Sequence, residues 1–186
     1  MRSSPGSGLA KAFCAAGLSA ALFWGGPSGA ASAQVAGPGD LVEAHQDWVV
    51  RCPAAQAATP VPRCEAVQDV RRRDGDGRRV IGVVVAHDEA GRLQATILAP
   101  LGVSLSGGVE LFLDAGAVSL ARFPFSACQQ AGCVAKIPLN EPLLSAFQRG
   151  RAIRVRVRTD EGRSADLPIS LRGFTSAHQR LTAPGR

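Results

Sequence analysis

The sequence predicts an all-β protein, a β-sandwich of about nine short strands with one short helix and two local disulfides. Three observations carry this. Apolar and polar residues alternate over short runs, the two-residue period of strands with one buried face. Gly, Pro and Asp-Gly steps separate these runs at hairpin-sized intervals. Four cysteines, Cys52, Cys64, Cys128 and Cys133, fall into two close pairs. The chain lacks the alternation of strands with long helices that marks a parallel sheet.

The N-terminus reads as a leader. Arg2 and Lys11 bracket a charged segment, Ala12 to Trp24 form an apolar run of 13 residues, and Ala31-Ser32-Ala33 supplies an A-x-A cleavage site. A membrane-spanning helix needs about 20 residues, so a cleaved signal peptide over residues 1–33 is expected in place of an anchor. Cys14 lacks the flanking residues of a lipidation site. Residues 34–46 are expected as a flexible linker and 47–182 as one β domain. The 153 residues left after cleavage can bury roughly 68–70% of their unfolded surface. No other apolar stretch is long enough to span a bilayer. Removing Arg2 and Lys11 from the 21 basic residues leaves 19 against 15 acidic ones, a net charge of +4 that mildly suits an anionic partner.

Asp47–Cys52 is the first predicted strand, with Trp48, Val50 and Cys52 on one face, and Pro53–Pro62 is an Ala/Pro-rich loop. Cys64–Arg72 is the second strand, and the Asp-Gly steps within Arg71–Arg79 make a hairpin turn. Val80–His87 is almost continuously apolar, as in a central strand covered on both faces. Leu93–Ala99 and Val109–Leu113 alternate on either side of Pro100-Leu101-Gly102 and Gly107-Gly108, which predicts a hairpin-like centre. Ala117–Phe125 switches apolar parity between Leu120 and Phe123, predicting a bulge near Arg122.

Past the tight turn Cys128–Cys133, residues Cys133, Ala135, Ile137 and Leu139 face inward and Lys136 outward. Asn140 caps a helix over Glu141–Gln148, with Pro142 in its first turn, Gly150 beyond its end and Leu143, Leu144 and Phe147 as its buried stripe. Ile153, Val155 and Val157 alternate with Arg154, Arg156 and Arg158, and Leu167, Ile169 and Leu171 alternate in the last strand. Gly173–Leu181 is a short helical or irregular tail.

An even cysteine count behind a leader reads as disulfides, and each pair flanks a turn, which favours Cys52–Cys64 and Cys128–Cys133 among three connectivities. A zinc site is disfavoured because neither pair has C-x₂-C spacing and only His45 lies near either. The same spacing argues against a redox dithiol.

Ordered blocks along the chain resemble the invasion-associated locus B family. They are Asp47-Trp48-Val49-Val50-Arg51-Cys52, Cys64, Pro100-Leu101-Gly102-Val103, Gly108-Val109, Leu113-Asp114, Cys128-x₄-Cys133-x-Ala135 and Ile169-Ser170-Leu171-x-Gly173-Phe174. They run in order over roughly Asp47 to Leu181. His45-Gln46 stands where the family usually has Gly. The resemblance implies an exported, cysteine-paired, mostly β protein of an α-proteobacterial envelope, and some members are associated with host-cell invasion. It brings no catalytic residues.

The most conspicuous chemical feature is the row Arg154, Arg156 and Arg158. Alternate strand residues lie about 6.6–6.8 Å apart on one face, a spacing that suits successive phosphates or sulfates. The plainer reading is a solvated sheet face whose arginines resist edge-to-edge aggregation. The Arg71–Arg73 and Arg78–Arg79 cluster has Asp74 and Asp76 between its halves and reads as a self-neutralised turn. His45, His87 and His178 are far apart in sequence, no Gly-x-Ser-x-Gly elbow is present, and Asp114 reads as a turn cap. Absence of tyrosine and a low aromatic content argue against nucleic-acid stacking.

The expectation is therefore a periplasmic or outer-membrane-associated interaction protein with no catalysis, cofactor or metal. Its partner would be an unidentified envelope or host protein. Two alternatives stay open: an envelope module whose arginine face binds anionic polysaccharide or lipid headgroups, and an unrecognised hydrolase built from distant residues.

Overall fold

A computed structural model describes residues 40–54, 63–73 and 75–183. The leader, the linker up to residue 39, the loop at 55–62 and Asp74 lie outside the described residues. The strands are β1 (Leu41–His45), β2 (Trp48–Cys52), β3 (Glu65–Arg71), β4 (Arg79–His87), β5 (Leu93–Ala99), β6 (Val109–Leu113), β7 (Ser119–Phe123), β8 (Ala127–Gln129), β9 (Gly132–Pro138), β10 (Ala152–Arg158) and β11 (Ser164–Ser170). Two helices join them, α1 (Glu141–Arg149) and α2 (Phe174–Thr182).

The strands form two antiparallel sheets. One has seven strands in the order β1-β2-β3-β4-β5-β9-β8, and the other has four in the order β11-β10-β6-β7. Their inner faces share one apolar cluster, with Trp48, Val50, Ile81, Val83 and Ile97 from the large sheet and Leu111, Ile153, Val155 and Ile169 from the small one. The expected all-β sandwich with its two local disulfides is present. Cys52 bonds Cys64 and Cys128 bonds Cys133, with Cα atoms 4.1 and 4.0 Å apart.

Several elements differ from expectation. Residues 41–45, expected within a flexible linker, are β1, paired with β2 along its whole length through a turn in which Gln46 has φ 56°. Leu41, Val42 and Ala44 are exposed there, so no buried face marked the strand in the sequence. The predicted hairpin between β5 and β6 does not form. β5 pairs with β4 and β9, β6 pairs with β10 and β7, and residues 100–108 cross from one sheet to the other. β4 is central, but only its inner face is fully covered, since Val80, Val84 and Ala86 are half-buried. The bulge expected near Arg122 is present in β7 two residues before it, at Leu120, since Ala121 and Ser119 stand opposite Leu111 and Phe112.

α1 ends as its capping residues dictate. The Leu143 amide donates to Asn140 Oδ1 at 3.2 Å, and the Gly150 amide to Ala146 O at 2.9 Å. α2 is the expected tail, now a full helix. Its Phe174 lies between Trp48 and Phe147 in edge-on contacts, with ring centroids 5.2 and 5.3 Å away.

A polar junction locks the two sheets together at this corner. Gln68 of β3 is 6% exposed, and its Nε2 donates to Asp47 O and Ser170 O, each at 3.0 Å. Its Oε1 accepts the Ser170 amide at 2.8 Å, Trp48 Nε1 donates to Ser170 O at 2.9 Å, and Ser170 Oγ donates to Asp47 Oδ2 at 2.6 Å. Gly173 closes the corner with φ 85°, and a Cβ on it would fall 1.9 Å from His45 O.

That contact separates two glycines of nearly equal φ. Gly162→Ala (φ 80°, open space around it) is expected to cost only left-handed strain of about 1–2 kcal/mol. Gly173→Ala adds a backbone clash and should lower stability well beyond that in urea unfolding; equal losses in the two variants would refute the close packing of α2 on the β1–β2 turn.

Candidate functional site

The outer face of the four-stranded sheet carries a connected cluster of charged side chains. Ile153, Val155 and Val157 of β10 are buried, and two-residue alternation turns Arg154, Arg156 and Arg158 outward. Antiparallel register then lines up one row across all four strands: Asp166, Arg156, Glu110 and Arg122 are successive partners. Charge alternates along it, which favours the pairing. Arg156 Nε and Nη2 donate to the two Asp166 oxygens at 2.7 and 3.0 Å, and Arg122 Nη2 donates to Glu110 Oε2 at 3.2 Å.

The three predicted arginines are brought together, yet they are not equivalent. Arg154 Nη1 donates to Asp166 at 2.7 Å, while its Nε and Nη2 hold Asp114 O and Gly116 O at 2.7 and 2.6 Å. The guanidinium carbons of Arg154 and Arg156 lie 5.2 and 4.4 Å from the centroid of the buried Phe112 ring, within cation–π range. These two arginines roof Phe112 and fasten the sheet. Arg158 is exposed and has no ion pair among the described residues. Beside it lies a cleft of about 240 Å³ lined by Ser104, Ser106, Glu110, Arg122, Arg156 and Ser164, among others.

Electrostatics follow the contacts. The Arg156 hydrogen bonds hold the Asp166 carboxyl below its ordinary value of 3.8, and Asp166 in turn raises Arg156. A hydrogen bond from Ser119, with help from Arg122, lowers Glu110 from 4.5. Asp114 is the expected turn cap. Its Oδ1 accepts the Ala152 and Arg151 amides at 2.9 and 2.8 Å, and those bonds lower its pKa.

The histidines build no such cluster. His45 Nδ1 lies 3.1 Å from Ser176 Oγ and its Nε2 3.6 Å from Glu43 Oε2, which superficially resembles a serine–histidine–acid triad. The direction of the bonds argues otherwise. Ser176 Oγ donates its proton to Gly173 O at 2.9 Å, so His45 donates to the serine, the reverse of general-base activation. Glu43 also holds Arg180 Nε at 2.9 Å, which clamps α2 onto β1. His178 stacks on Phe174, and burial, then the nearby His87, lowers its pKa. Among the described residues no three His, Cys, Asp or Glu side chains gather as a metal cluster.

Sequence reasoning picked out the β10 arginines but missed Glu110, Arg122, Ser104, Ser106 and Ser164. No local pattern could have found them, because cross-strand register and the inter-sheet crossover bring them together.

Fold and site define a disulfide-stapled, two-sheet β protein whose distinctive surface is a charged sheet face. The chain belongs to the invasion associated locus B (IalB) family, whose sequence profile matches residues 48–182. It is 28% identical over 148 residues to each of two Invasion protein B homologs of Brucella abortus, from strain 2308 and from biovar 1 strain 9-941. Each alignment covers 79% of this chain and 82% of the relative. The crystal structure of invasion associated protein b from Bartonella henselae has the same fold, with a TM-score of 0.65 at 21% identity over 76% of this chain and 95% of that one.

The lowered carboxylates set an acid limit. A carboxylate whose folded pKa is depressed contributes stability above its unfolded pKa, and that contribution is lost as pH falls through the folded value. Stability should therefore fall as pH drops below the ordinary carboxylate values and through the lower folded values of Glu110, Asp114 and Asp166. Asp166→Asn should reduce stability at neutral pH and flatten the acid-side decline in pH-dependent urea unfolding; an unchanged slope would exclude Asp166 from that decline.

Proposed function

We propose that this chain is an exported, envelope-associated β-sandwich that acts by binding a partner and not by turnover, in support of host-cell invasion or envelope function. The observation that carries the reading is the pair of closed disulfides, Cys52–Cys64 and Cys128–Cys133. Such bonds persist in oxidising compartments such as the bacterial periplasm and are rare in cytosolic proteins. The leader-like segment at residues 1–33 agrees with that placement, in the periplasm or on the outer membrane. Among the described residues no helix is long and apolar enough to cross a membrane.

Binding in place of catalysis is supported by how the reactive groups are used. The four cysteines of the domain are paired, Asp114 caps backbone amides, Asp166 and Glu110 hold arginines, and the Ser176 proton goes to a carbonyl. The invasion role is carried over from the names of the Brucella relatives.

Intact mass of the protein recovered from the envelope is expected to start at Gln34 with both disulfides formed. A leader-bearing chain with free thiols in the cytoplasm would overturn the placement. In-cell crosslinking followed by co-purification should capture a discrete envelope or host protein, and deletion of the gene should lower host-cell invasion. Replacing Cys52 and Cys64 with serine should cost about 3 kcal/mol of stability by the chain-entropy argument, read by urea unfolding.

A further inference from the structure

We infer that the cleft beside Arg158 receives the phosphate of an anionic membrane-lipid headgroup, with Leu101 and Leu105 seated at the membrane interface next to it. The inference rests on the envelope placement proposed above and supplies that surface with a ligand.

Several donors in the cleft are uncommitted. Among the described residues Arg158 has its whole guanidinium fork unpaired, Arg156 keeps Nη1 after binding Asp166 through Nε and Nη2, and Arg122 gives only Nη2 to Glu110. Planar guanidinium forks match phosphate oxygens in geometry and charge. The hydroxyls of Ser104 and Ser106 lie 3.2 Å apart, and Ser164 stands opposite Arg158 across the β10–β11 ladder. Among the described residues Arg122, Arg154, Arg156 and Arg158 face only Glu110 and Asp166 on this sheet surface, a surplus of two positive charges. Asp160 and Glu161 belong to the β10–β11 turn outside the cleft lining, and Glu161 is paired with Arg163.

The crossover at 100–108 connects the cations to an apolar element. The Ser104 amide donates to Arg158 O at 2.8 Å, and Gly107 packs so closely that a Cβ on it would lie 3.3 Å from Arg158 Cβ. The same segment leaves Leu101 58% and Leu105 60% exposed. Basic groups beside exposed leucines are the composition of a surface that docks on anionic lipid, where the cations meet phosphates and the leucines reach the headgroup–acyl boundary. An anionic glycan would explain the arginines but leave the leucines in water.

The test is co-sedimentation of the purified protein, both disulfides intact, with phosphatidylcholine vesicles containing or lacking phosphatidylglycerol. Binding is expected only with phosphatidylglycerol and should weaken as salt screens it. Arg158→Gln should reduce partitioning about fivefold, and Leu101→Ser with Leu105→Ser should reduce it by at least about fivefold. All three side chains are exposed, so the thermal midpoint should stay unchanged. Equal binding to both vesicle types, or variants that bind as the parent does, would overturn the inference. Arg158-dependent retention on heparin without vesicle binding would also overturn it and assign the cleft to an anionic glycan. Because purified protein is used, these outcomes are independent of leader cleavage, whose failure would strike the envelope placement alone.

Discussion

Two sheets pressed together by apolar side chains can slide, because the hydrophobic effect is non-directional. Here Gln68 removes that freedom. One buried amide reaches from the large sheet to both the carbonyl and the amide of Ser170 in the small one, and to the Asp47 carbonyl in the turn before β2. Every polar atom of that side chain is satisfied, so the cost of burying it is offset and the geometry is fixed. Trp48 donates to the same Ser170 carbonyl, and its ring supports Phe174, which in turn touches Phe147 of α1. The relative placement of the sheets and both helices therefore depends on one corner.

That corner also explains the spacing of the family blocks. Asp47-Trp48 and Ile169-Ser170-Leu171-x-Gly173-Phe174 are far apart in sequence, yet they meet in space around Gln68. Their shared role is architectural. Asp47 takes the Ser170 hydroxyl, Trp48 the Ser170 carbonyl, and Gly173 permits a backbone approach that no side chain could survive. These two blocks hold the sandwich together, and the arginine face lies on the other surface of the small sheet.

Residues with strong local patterns were readable from sequence. The alternation in β2, β9 and β10, the Asn140 cap of α1 and the turn role of Asp114 each follow from short-range rules, and the structure bears them out. β1 escaped because an edge strand without a buried face has no hydrophobic period. The β5–β6 segment was misread because glycine and proline mark a change of direction without saying whether the next strand pairs with the last. The alignment of Arg156 with Glu110, and of Glu110 with Arg122, depends on the register between strands, which the residues of any one strand do not encode.

Sheet edges decide how such a molecule meets other strands. β8 is three residues long and stapled to β9 by Cys128–Cys133, β11 contains Pro168, which has no amide proton to donate, and β7 is broken by the Leu120 bulge. Each of these edges is blunted by a different device. β1 has none: five residues in unbroken register, without proline or bulge, and with Leu41 and Val42 exposed. Among the described edges, the seven-stranded sheet can therefore be lengthened from one side only. Any extended segment that docks by backbone pairing would become an eighth strand beside β1, so the sandwich has a polarity for growth although its two sheets are closed against each other.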